Sequence, residues 1–200
     1  MKKVFGLGTG RCGTHSLAHL LNSQPNVKVS HEVGGQPMLP WVKDKTSIEF
    51  ANEIIHKLES DSINGDVAFY WLSYVHEIIQ CTPHVKFVVL KRDRQAVIDS
   101  FMKWTPTRNH WKNHMGLEWI ECPWDKCFPT YSNKLTKEEA IGEYWDKYYK
   151  RIDILMRIYP DQFIIFQTED LNDEEKVQGL LGWCGLKETN PITNIRLAKT

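Results

Sequence analysis

Short apolar runs rich in β-branched and aromatic residues alternate with longer segments of helical periodicity along this chain of 200 residues. Such runs predict buried strands, because these side chains pack well on a pleated surface. The five predicted strands cover residues 3–7, 27–30, 67–71, 85–90 and 162–167. Strands that alternate with helices predict an α/β fold of three layers, α/β/α, with a central, mainly parallel sheet.

Amphipathic helices are predicted over residues 47–58, over the stretch that ends before Pro160, and from near Asn172 to Gly185. Two starts have the spacing of a capping box, Thr46 with Glu49 and Thr136 with Glu139. Ligands of such folds bind beyond the carboxyl ends of the strands, so the functional residues are expected at that edge of the sheet.

The composition predicts one globular domain over residues 1–200, with an irregular, Trp-rich insertion at about 104–135. Hydrophobic residues make up 42% of the chain and charged residues 25%, which excludes intrinsic disorder. The formal net charge of zero provides no global field to attract nucleic acid or an acidic membrane. Any anion binding must therefore come from a local arrangement of residues.

The cysteine pattern and the lack of a long apolar run predict a cytoplasmic protein without a membrane span. Five cysteines at irregular spacing, of which Cys122 and Cys127 are the only close pair, favour reduced thiols. His110 and His114 have the spacing of zinc ligands on a helix, but the expected glutamate beside them is missing. We therefore predict no metal site.

Residues 6–17 form a glycine-rich segment, Gly-Leu-Gly-Thr-Gly-Arg-Cys-Gly-Thr-His-Ser-Leu, directly after the first predicted strand. Glycines let the backbone point several N–H groups into one concavity, and the following helix adds its positive N-terminal end. The segment therefore predicts an anion cradle. Arg11 adds a two-pronged donor, Gly13 an open N–H group, and Thr14 and Ser16 their hydroxyls. No Gly-Lys-Ser/Thr follows, unlike in nucleoside triphosphate-binding loops.

A second anion site is predicted where the fourth strand ends. A helix that begins near Asp93 would leave Arg92 in the turn and place Ser100 two helical turns further on. A lone glycine-rich turn is often a plain strand-to-helix connection. The second site instead favours a ligand with two separated phosphate groups, one of them held by Arg92 and Ser100.

This pair of motifs resembles that of the sulfotransferases that use 3′-phosphoadenosine 5′-phosphosulfate (PAPS). In that family Gly-x-x-Arg-Ser-Gly-Thr holds the 5′-phosphosulfate, and Arg-Asp followed seven positions later by Ser holds the 3′-phosphate. Residues 11–14, Arg-Cys-Gly-Thr, are similar to the first motif. Arg92, Asp93 and Ser100 are similar to the second.

A third motif extends the resemblance over most of the chain. Residues 166–171, Phe-Gln-Thr-Glu-Asp-Leu, are similar to the family's Tyr-Glu-Asp-Leu, with Thr168 in place of the tyrosine. The three motifs occur in the family's order between Val4 and about Leu171. The resemblance implies a P-loop NTPase-like sulfotransferase fold, with PAPS as cosubstrate and 3′-phosphoadenosine 5′-phosphate (PAP) as product. It implies that the nucleotide is bound by Arg11, Cys12, Gly13, Thr14, His15, Ser16, Arg92 and Ser100.

The pattern is most similar to the tyrosylprotein and bacterial branch, where a short second strand leads to a catalytic glutamate. Here that position is Glu32, whose implied role is general base for an acceptor hydroxyl. His31 is the competing candidate, because other branches use histidine. Side chains alternate along a strand, so only one of the two is expected to face the site. Arg11 would neutralise charge on the leaving phosphate during in-line transfer.

The acceptor is not defined by these motifs: a sugar, a phenol, a peptide tyrosine or a lipid headgroup would each fit a Trp-rich pocket. Two other functions stay open. One is a P-loop-type kinase that uses ATP, which the loop arginine in place of lysine disfavours. The other is a non-catalytic nucleotide-binding module, because the lysine that tyrosylprotein sulfotransferases place near the transferred group is missing around residues 66–71.

Overall fold

The central feature of the fold is a five-stranded parallel sheet with the strand order β2-β3-β1-β4-β5. The computed structural model describes residues 3–35, 39–60, 64–111, 122–131 and 135–186. The strands are β1 (Val4–Leu7), β2 (Val29–His31), β3 (Gly65–Val67), β4 (Lys86–Lys91) and β5 (Phe163–Gln167). The helices are α1 (Thr14–Asn22), α2 (Glu32–Gly35), α3 (Lys45–Ser60), α4 (Val75–Cys81), α5 (Arg94–Trp104), α6 (Lys137–Ile158) and α7 (Glu174–Trp183). Three 3-10 turns accompany them, at Phe69–Tyr74, Asp125–Cys127 and Thr168–Asn172.

The predicted α/β class with a parallel central sheet is confirmed. Strand β1 pairs with β3 through Gly6 and Val67, and with β4 through residues 4–7. All pairs are parallel, so every strand delivers its carboxyl end to the same edge. The side chains of β1 and of the middle of β4 are buried, which places the core on both faces of these two strands.

The predicted strand at residues 67–71 is wrong in its bounds. Strand β3 ends at Val67, and Phe69–Tyr74 form a 3-10 turn in which all six side chains are buried. A run of aromatic and β-branched residues signals burial, but it does not distinguish a strand from a short turn that is enclosed on every side. The Trp71 indole Nε1 donates to Asp66 Oδ2 at 2.6 Å, and this bond folds the turn back onto β3.

The helix caps agree with the predictions in part. Thr136 and Glu139 form the predicted capping box at the start of α6. The capping box of Thr46 with Glu49 is wrong, because α3 begins two residues earlier than predicted, at Lys45. Asp44 and Ser47 cap it instead: the Ser47 backbone N–H donates to Asp44 Oδ1, and the Asp44 N–H donates to Ser47 Oγ, both at 2.7 Å.

The last helix of the structure begins two residues later than predicted and ends before Gly185, as predicted. Asn172 lies in the 3-10 turn, and α7 starts at Glu174 with Asp173 as its cap. Gly185 follows the helix with φ of 85°, the left-handed conformation that glycine adopts after helices. Among the described residues, no helix is both long enough and apolar enough to cross a bilayer.

Tyrosine hydroxyls of helix α6 form hydrogen bonds with the backbone of the glycine-rich loop. The Tyr148 hydroxyl accepts from the Gly8 N–H at 2.9 Å and donates to the Phe69 carbonyl at 3.0 Å. The Tyr144 hydroxyl donates to the Thr9 carbonyl at 3.0 Å. These rings are fully buried, so their hydrogen bonds provide polar partners for loop groups that water cannot reach.

We expect Tyr148→Phe to lower the free energy of unfolding by about 1–3 kcal/mol, because it leaves the buried Gly8 N–H and Phe69 carbonyl without their partner. Tyr131→Phe is the matched control. The Tyr131 hydroxyl is also buried, but within the described residues it makes no hydrogen bond. Urea unfolding of the two variants measures the difference, and equal stabilities would contradict a role of Tyr148 in holding the loop.

Candidate functional site

A cleft of about 860 Å³ lies at the carboxyl edge of the sheet. Each strand contributes the residues that directly follow it. The residues that line the cleft after the five strands include Gly10 after β1, Glu32 after β2, Phe69 after β3, Arg92 after β4 and Thr168 after β5. The topology therefore assembles one site from all five connections, as expected for an open parallel sheet.

The glycine-rich loop has the backbone of an anion cradle. Positive φ angles occur at Gly8 (154°), Gly10 (78°), Arg11 (55°) and Gly13 (90°). Gly13 is the N-cap of α1, so the free N–H groups of the first helical turn lie next to the loop. A Cβ atom on Gly8 would lie 2.4 Å from Cys12 Sγ, so a side chain at that position would force Cys12 to shift.

Arg11 connects the loop to the second predicted anion site. Its Nε donates to Ser100 Oγ at 3.1 Å, and its guanidinium lies 5.4 Å from the Trp104 ring centre. Arg92 Nη1 donates to the carbonyl oxygen of Arg11 at 2.9 Å. Burial, and then the charge of Arg92, lower the pKa of Arg11. Two guanidinium groups held this close favour binding of an anion, which would relieve their repulsion.

The structure separates the predicted loop ligands into two groups. Seven of the predicted nucleotide ligands line the cleft: Arg11, Gly13, Thr14, His15, Ser16, Arg92 and Ser100. The Cys12 side chain is fully buried, and burial raises the pKa of its thiol to about 11. Its carbonyl oxygen accepts from Thr168 Oγ1 at 2.6 Å. The Cys12 side chain is therefore not available to a ligand.

Both His31 and Glu32 line the cleft, so the prediction that only one of them faces the site is wrong. Strand β2 ends at His31, and Glu32 and Val33 adopt φ angles of 51° and 47°. The alternation of side chains ends with the strand, and the left-handed turn brings the next side chain to the same side. His31 Nδ1 lies 3.9 Å from Glu32 Oε2, and its Nε2 lies 3.2 Å from Thr14 Oγ1.

Burial gives Glu32 and His31 opposite pKa shifts. Burial, and then the nearby Asp66, raise the pKa of Glu32 to about 7. Burial, and then His15, lower the pKa of His31 to about 4. At neutral pH the imidazole is uncharged, and the Glu32 carboxyl is near the midpoint of its titration. A carboxyl with such a pKa can take up and release a proton under physiological conditions.

Aromatic side chains form another wall of the cleft, which we call the aromatic wall: Phe69, Trp124 and Phe128. Phe69 stacks on Phe128 with ring centres 4.7 Å apart, and Trp124 lies 5.9 Å from Phe69. Two of these residues belong to the predicted Trp-rich insertion, as does Trp104, which also lines the cleft. Residues 112–121 and 132–134 of the insertion lie outside the described residues.

His110 and His114, which have the spacing of zinc ligands on a helix, cannot be compared as a pair, because His114 lies outside the described residues. A different group, His110, Cys122 and Asp125, brings its ligand atoms within 4.8 Å of one another. His110 Nδ1 lies 2.7 Å from Asp125 Oδ1, and the Cys122 N–H donates to Asp125 Oδ2 at 3.0 Å. Both carboxylate oxygens are thus engaged within the chain. All five cysteines are free thiols, in agreement with the prediction.

Sequence reasoning missed Asp66, which lies beside Glu32 and is fully buried. The available signal was an acidic residue directly before the apolar run at Val67, a position where a buried strand rarely carries charge. It also missed Phe69 as part of the aromatic wall and Tyr148 as a support of the loop. Their apolar bodies fit the hydrophobic pattern and conceal these roles.

The comparisons with known proteins agree with this geometry. The sulfotransferase domain family matches residues 3–171. A sulfotransferase from Alicyclobacillus acidocaldarius superposes with a TM-score of 0.57 at 14% identity, covering 100% of this chain and 87% of that one. The sulfotransferase domain from the curacin biosynthetic pathway superposes with a TM-score of 0.57 at 13% identity, covering 95% and 76%.

At such identities the two solved structures show a shared fold only. No curated protein sequence matches the chain significantly. The family match covers all three motifs, the cradle, the segment around Arg92 and the end of β5, and it extends over most of the chain. The chain therefore belongs to the sulfotransferase domain family.

Proposed function

We propose that this protein transfers the sulfuryl group of PAPS to an acceptor hydroxyl, with Glu32 as the general base. The observation that carries the proposal is the convergence of Arg11, Arg92 and Ser100 on the cleft that Glu32 also lines. Two guanidinium groups beside a helix N-terminus favour a ligand with several anionic groups. A nucleotide with phosphates on both its 3′ and 5′ sides has this property.

The loop would receive the 5′-phosphosulfate. The proposed ligands on this side are Arg11, Cys12 through its backbone, Gly13, Thr14, His15 and Ser16. Arg11 and the backbone N–H groups would stabilise the charge that develops on the phosphate as the S–O bond breaks. Donors that are already fixed in place need no reorganisation at that moment, which is why a preformed loop suits the reaction.

The 3′-phosphate would lie between Arg92 and Ser100. Ser100 already holds Arg11 Nε, and Arg92 already holds the Arg11 carbonyl. The two proposed phosphate sites are therefore joined through one arginine. This coupling favours a ligand that occupies both sites over a free phosphate or a nucleoside monophosphate.

Transfer would proceed in line. The acceptor oxygen forms a bond to sulfur, the bond from sulfur to the 5′-phosphate oxygen breaks, PAP leaves, and the acceptor proton passes to the Glu32 carboxylate. A pKa of about 7 suits this role, because the base is then available near neutral pH without being too weak to hold the proton. His31, with a pKa of about 4, is the weaker proton acceptor of the two.

The aromatic wall favours an acceptor with a ring. Glu32 has Tyr70 and Cys127 among its electrostatic neighbours, and these are the chain neighbours of Phe69 and Phe128. A hydroxyl beside Glu32 would therefore place the body of the acceptor against the wall. Phenols, peptide tyrosines and the apolar face of a sugar all pack on such surfaces.

Calorimetric titration tests the nucleotide. We expect PAP to bind at micromolar concentration, ATP and 5′-AMP to bind more weakly, and Arg92→Ala to weaken PAP binding by about 1.5–3 kcal/mol, which is roughly 10- to 150-fold. Arg94→Ala is the matched control. Arg94 is close in sequence but pairs with Asp146 at 2.9 Å and does not line the cleft. Equal or tighter binding of ATP would favour the kinase alternative.

Glu32→Gln tests the base. We expect PAP binding to stay within about twofold of the original, whereas the rate of transfer falls by about 10²- to 10⁴-fold. Because the base acts in its deprotonated form, the transfer rate of the original protein should rise as pH increases through about 7 and level off above it. PAP release from PAPS with a panel of phenols and sugars provides the measurement.

Two outcomes would contradict this assignment. Turnover of Glu32→Gln at the original rate would move the base to His31, for which His31→Asn is the paired variant. Tight PAP binding with no transfer to any member of the panel would favour the non-catalytic nucleotide-binding module.

A further inference from the structure

Asp66 is a fully buried carboxylate that the proposed transfer step does not use. It lies in the middle of β3, one strand away from the loop and next to β2. Its Oδ1 accepts from the Ser30 hydroxyl at 2.7 Å and from the Val33 N–H at 2.9 Å. Its Oδ2 accepts from the Trp71 Nε1–H at 2.6 Å. Three segments around Glu32 are thus tied to a single carboxylate.

The contact with Val33 is the informative one. Val33 has a φ of 47°, a conformation that a β-branched residue adopts only when its surroundings impose it. Glu32, directly before it, has a φ of 51°. The hydrogen bond from the Val33 N–H to Asp66 holds this turn in place. Without the turn, the strand alternation would direct the Glu32 side chain away from the side that His31 faces.

We propose that Asp66 is a positioning residue for Glu32: its buried carboxylate holds the left-handed turn at residues 32–33 and thereby fixes the Glu32 carboxyl in the cleft. This inference rests on the proposed function, because positioning matters only if Glu32 is the base. In this proposal two carboxyl groups act together: Glu32 takes the proton, and Asp66 orients Glu32.

Asp66 and Glu32 also interact electrostatically. The ionisable groups around Glu32 are His31 from β2, Asp66 from β3, Tyr70 from the 3-10 turn, and Cys127 from the turn at 125–127. His15 from α1 packs against the ring of His31. Asp66 is the one whose charge raises the pKa of Glu32, second to burial. Burial raises the pKa of Asp66 as well, and the hydrogen bonds from Ser30, Trp71 and Val33 oppose that shift by favouring the ionised form. Removing the charge of this form should therefore lower the pKa of Glu32 towards its ordinary value.

Carbon-13 NMR of protein labelled at the glutamate side-chain carboxyl carbons measures the Glu32 titration without any acceptor. The Glu32 signal is identified by its loss in Glu32→Gln. In the unsubstituted protein we expect a midpoint near 7. In Asp66→Asn, which keeps one acceptor oxygen but removes the charge, we expect the midpoint to fall by about one pH unit.

Asp99→Asn is the matched control, since Asp99 also lines the cleft but lies on α5, where it accepts from Gln95. It should leave the Glu32 midpoint unchanged. An unchanged kcat in Asp66→Ala would overturn the positioning role, and an unchanged Glu32 midpoint in Asp66→Asn would overturn the electrostatic coupling. If Asp66→Asn fails to fold, the same substitution is made together with Val33→Gly, because glycine adopts a positive φ without strain. The double variant should show the same fall in the midpoint.

Kinetics separate the two hypotheses. If both hold, Asp66→Ala, which removes the acceptor of the Val33 N–H, should lower kcat by about 10-fold or more with little change in the KM for PAPS. In Asp66→Asn, the pH at half-maximal rate should fall together with the Glu32 midpoint. If Glu32→Gln turns over normally, the base assignment fails. In that case the NMR titration still decides whether the charge of Asp66 shifts the pKa of Glu32.

Discussion

The backbone conformation of residues 8–13 is the constraint on which the site depends. A loop that points its N–H groups outward to an anion leaves its inner polar groups in the protein interior, where each needs a partner. Tyr148 provides one for the Gly8 N–H, Tyr144 for the Thr9 carbonyl and Thr168 for the Cys12 carbonyl. These partners come from the far end of the chain, so the cradle exists only in the assembled fold.

The same contacts join the cradle to the other walls of the cleft. The Tyr148 hydroxyl binds the Phe69 carbonyl as well as the Gly8 N–H, which ties the loop to the aromatic wall. Arg92 binds the carbonyl of Arg11, which ties the loop to the end of β4. A shift in any one connection would therefore change the distances between donor and acceptor sites, and transfer reactions are sensitive to such changes.

Local signals in the sequence were sufficient for most of the fold and for several of the residues that line the cleft beside the glycine-rich loop. The Asp93 cap, the Thr136 capping box and the glycine spacing act over a few residues and are readable one segment at a time. Three features depend instead on contacts between segments far apart in the chain. They are the inward orientation of the Cys12 side chain, the turn after β2 and the burial of Asp66. The 3-10 turn at Phe69–Tyr74 was missed for the same reason, because its enclosure comes from other elements.

The cleft combines two like-charge pairs of opposite sign. Burial, and then the charge of Arg92, lower the pKa of Arg11 on one side. Burial, and then the charge of Asp66, raise the pKa of Glu32 on the other. A bound anionic nucleotide would relieve the first pair and oppose ionisation of the second. In the proposed reaction, the arginines would have to neutralise the donor well enough that Glu32 can still lose its proton near neutral pH. The contact of Arg11 with Arg92 would serve this purpose, because it concentrates positive charge on the side of the cleft proposed for the donor. The side proposed for the acceptor is left to Glu32 and Asp66.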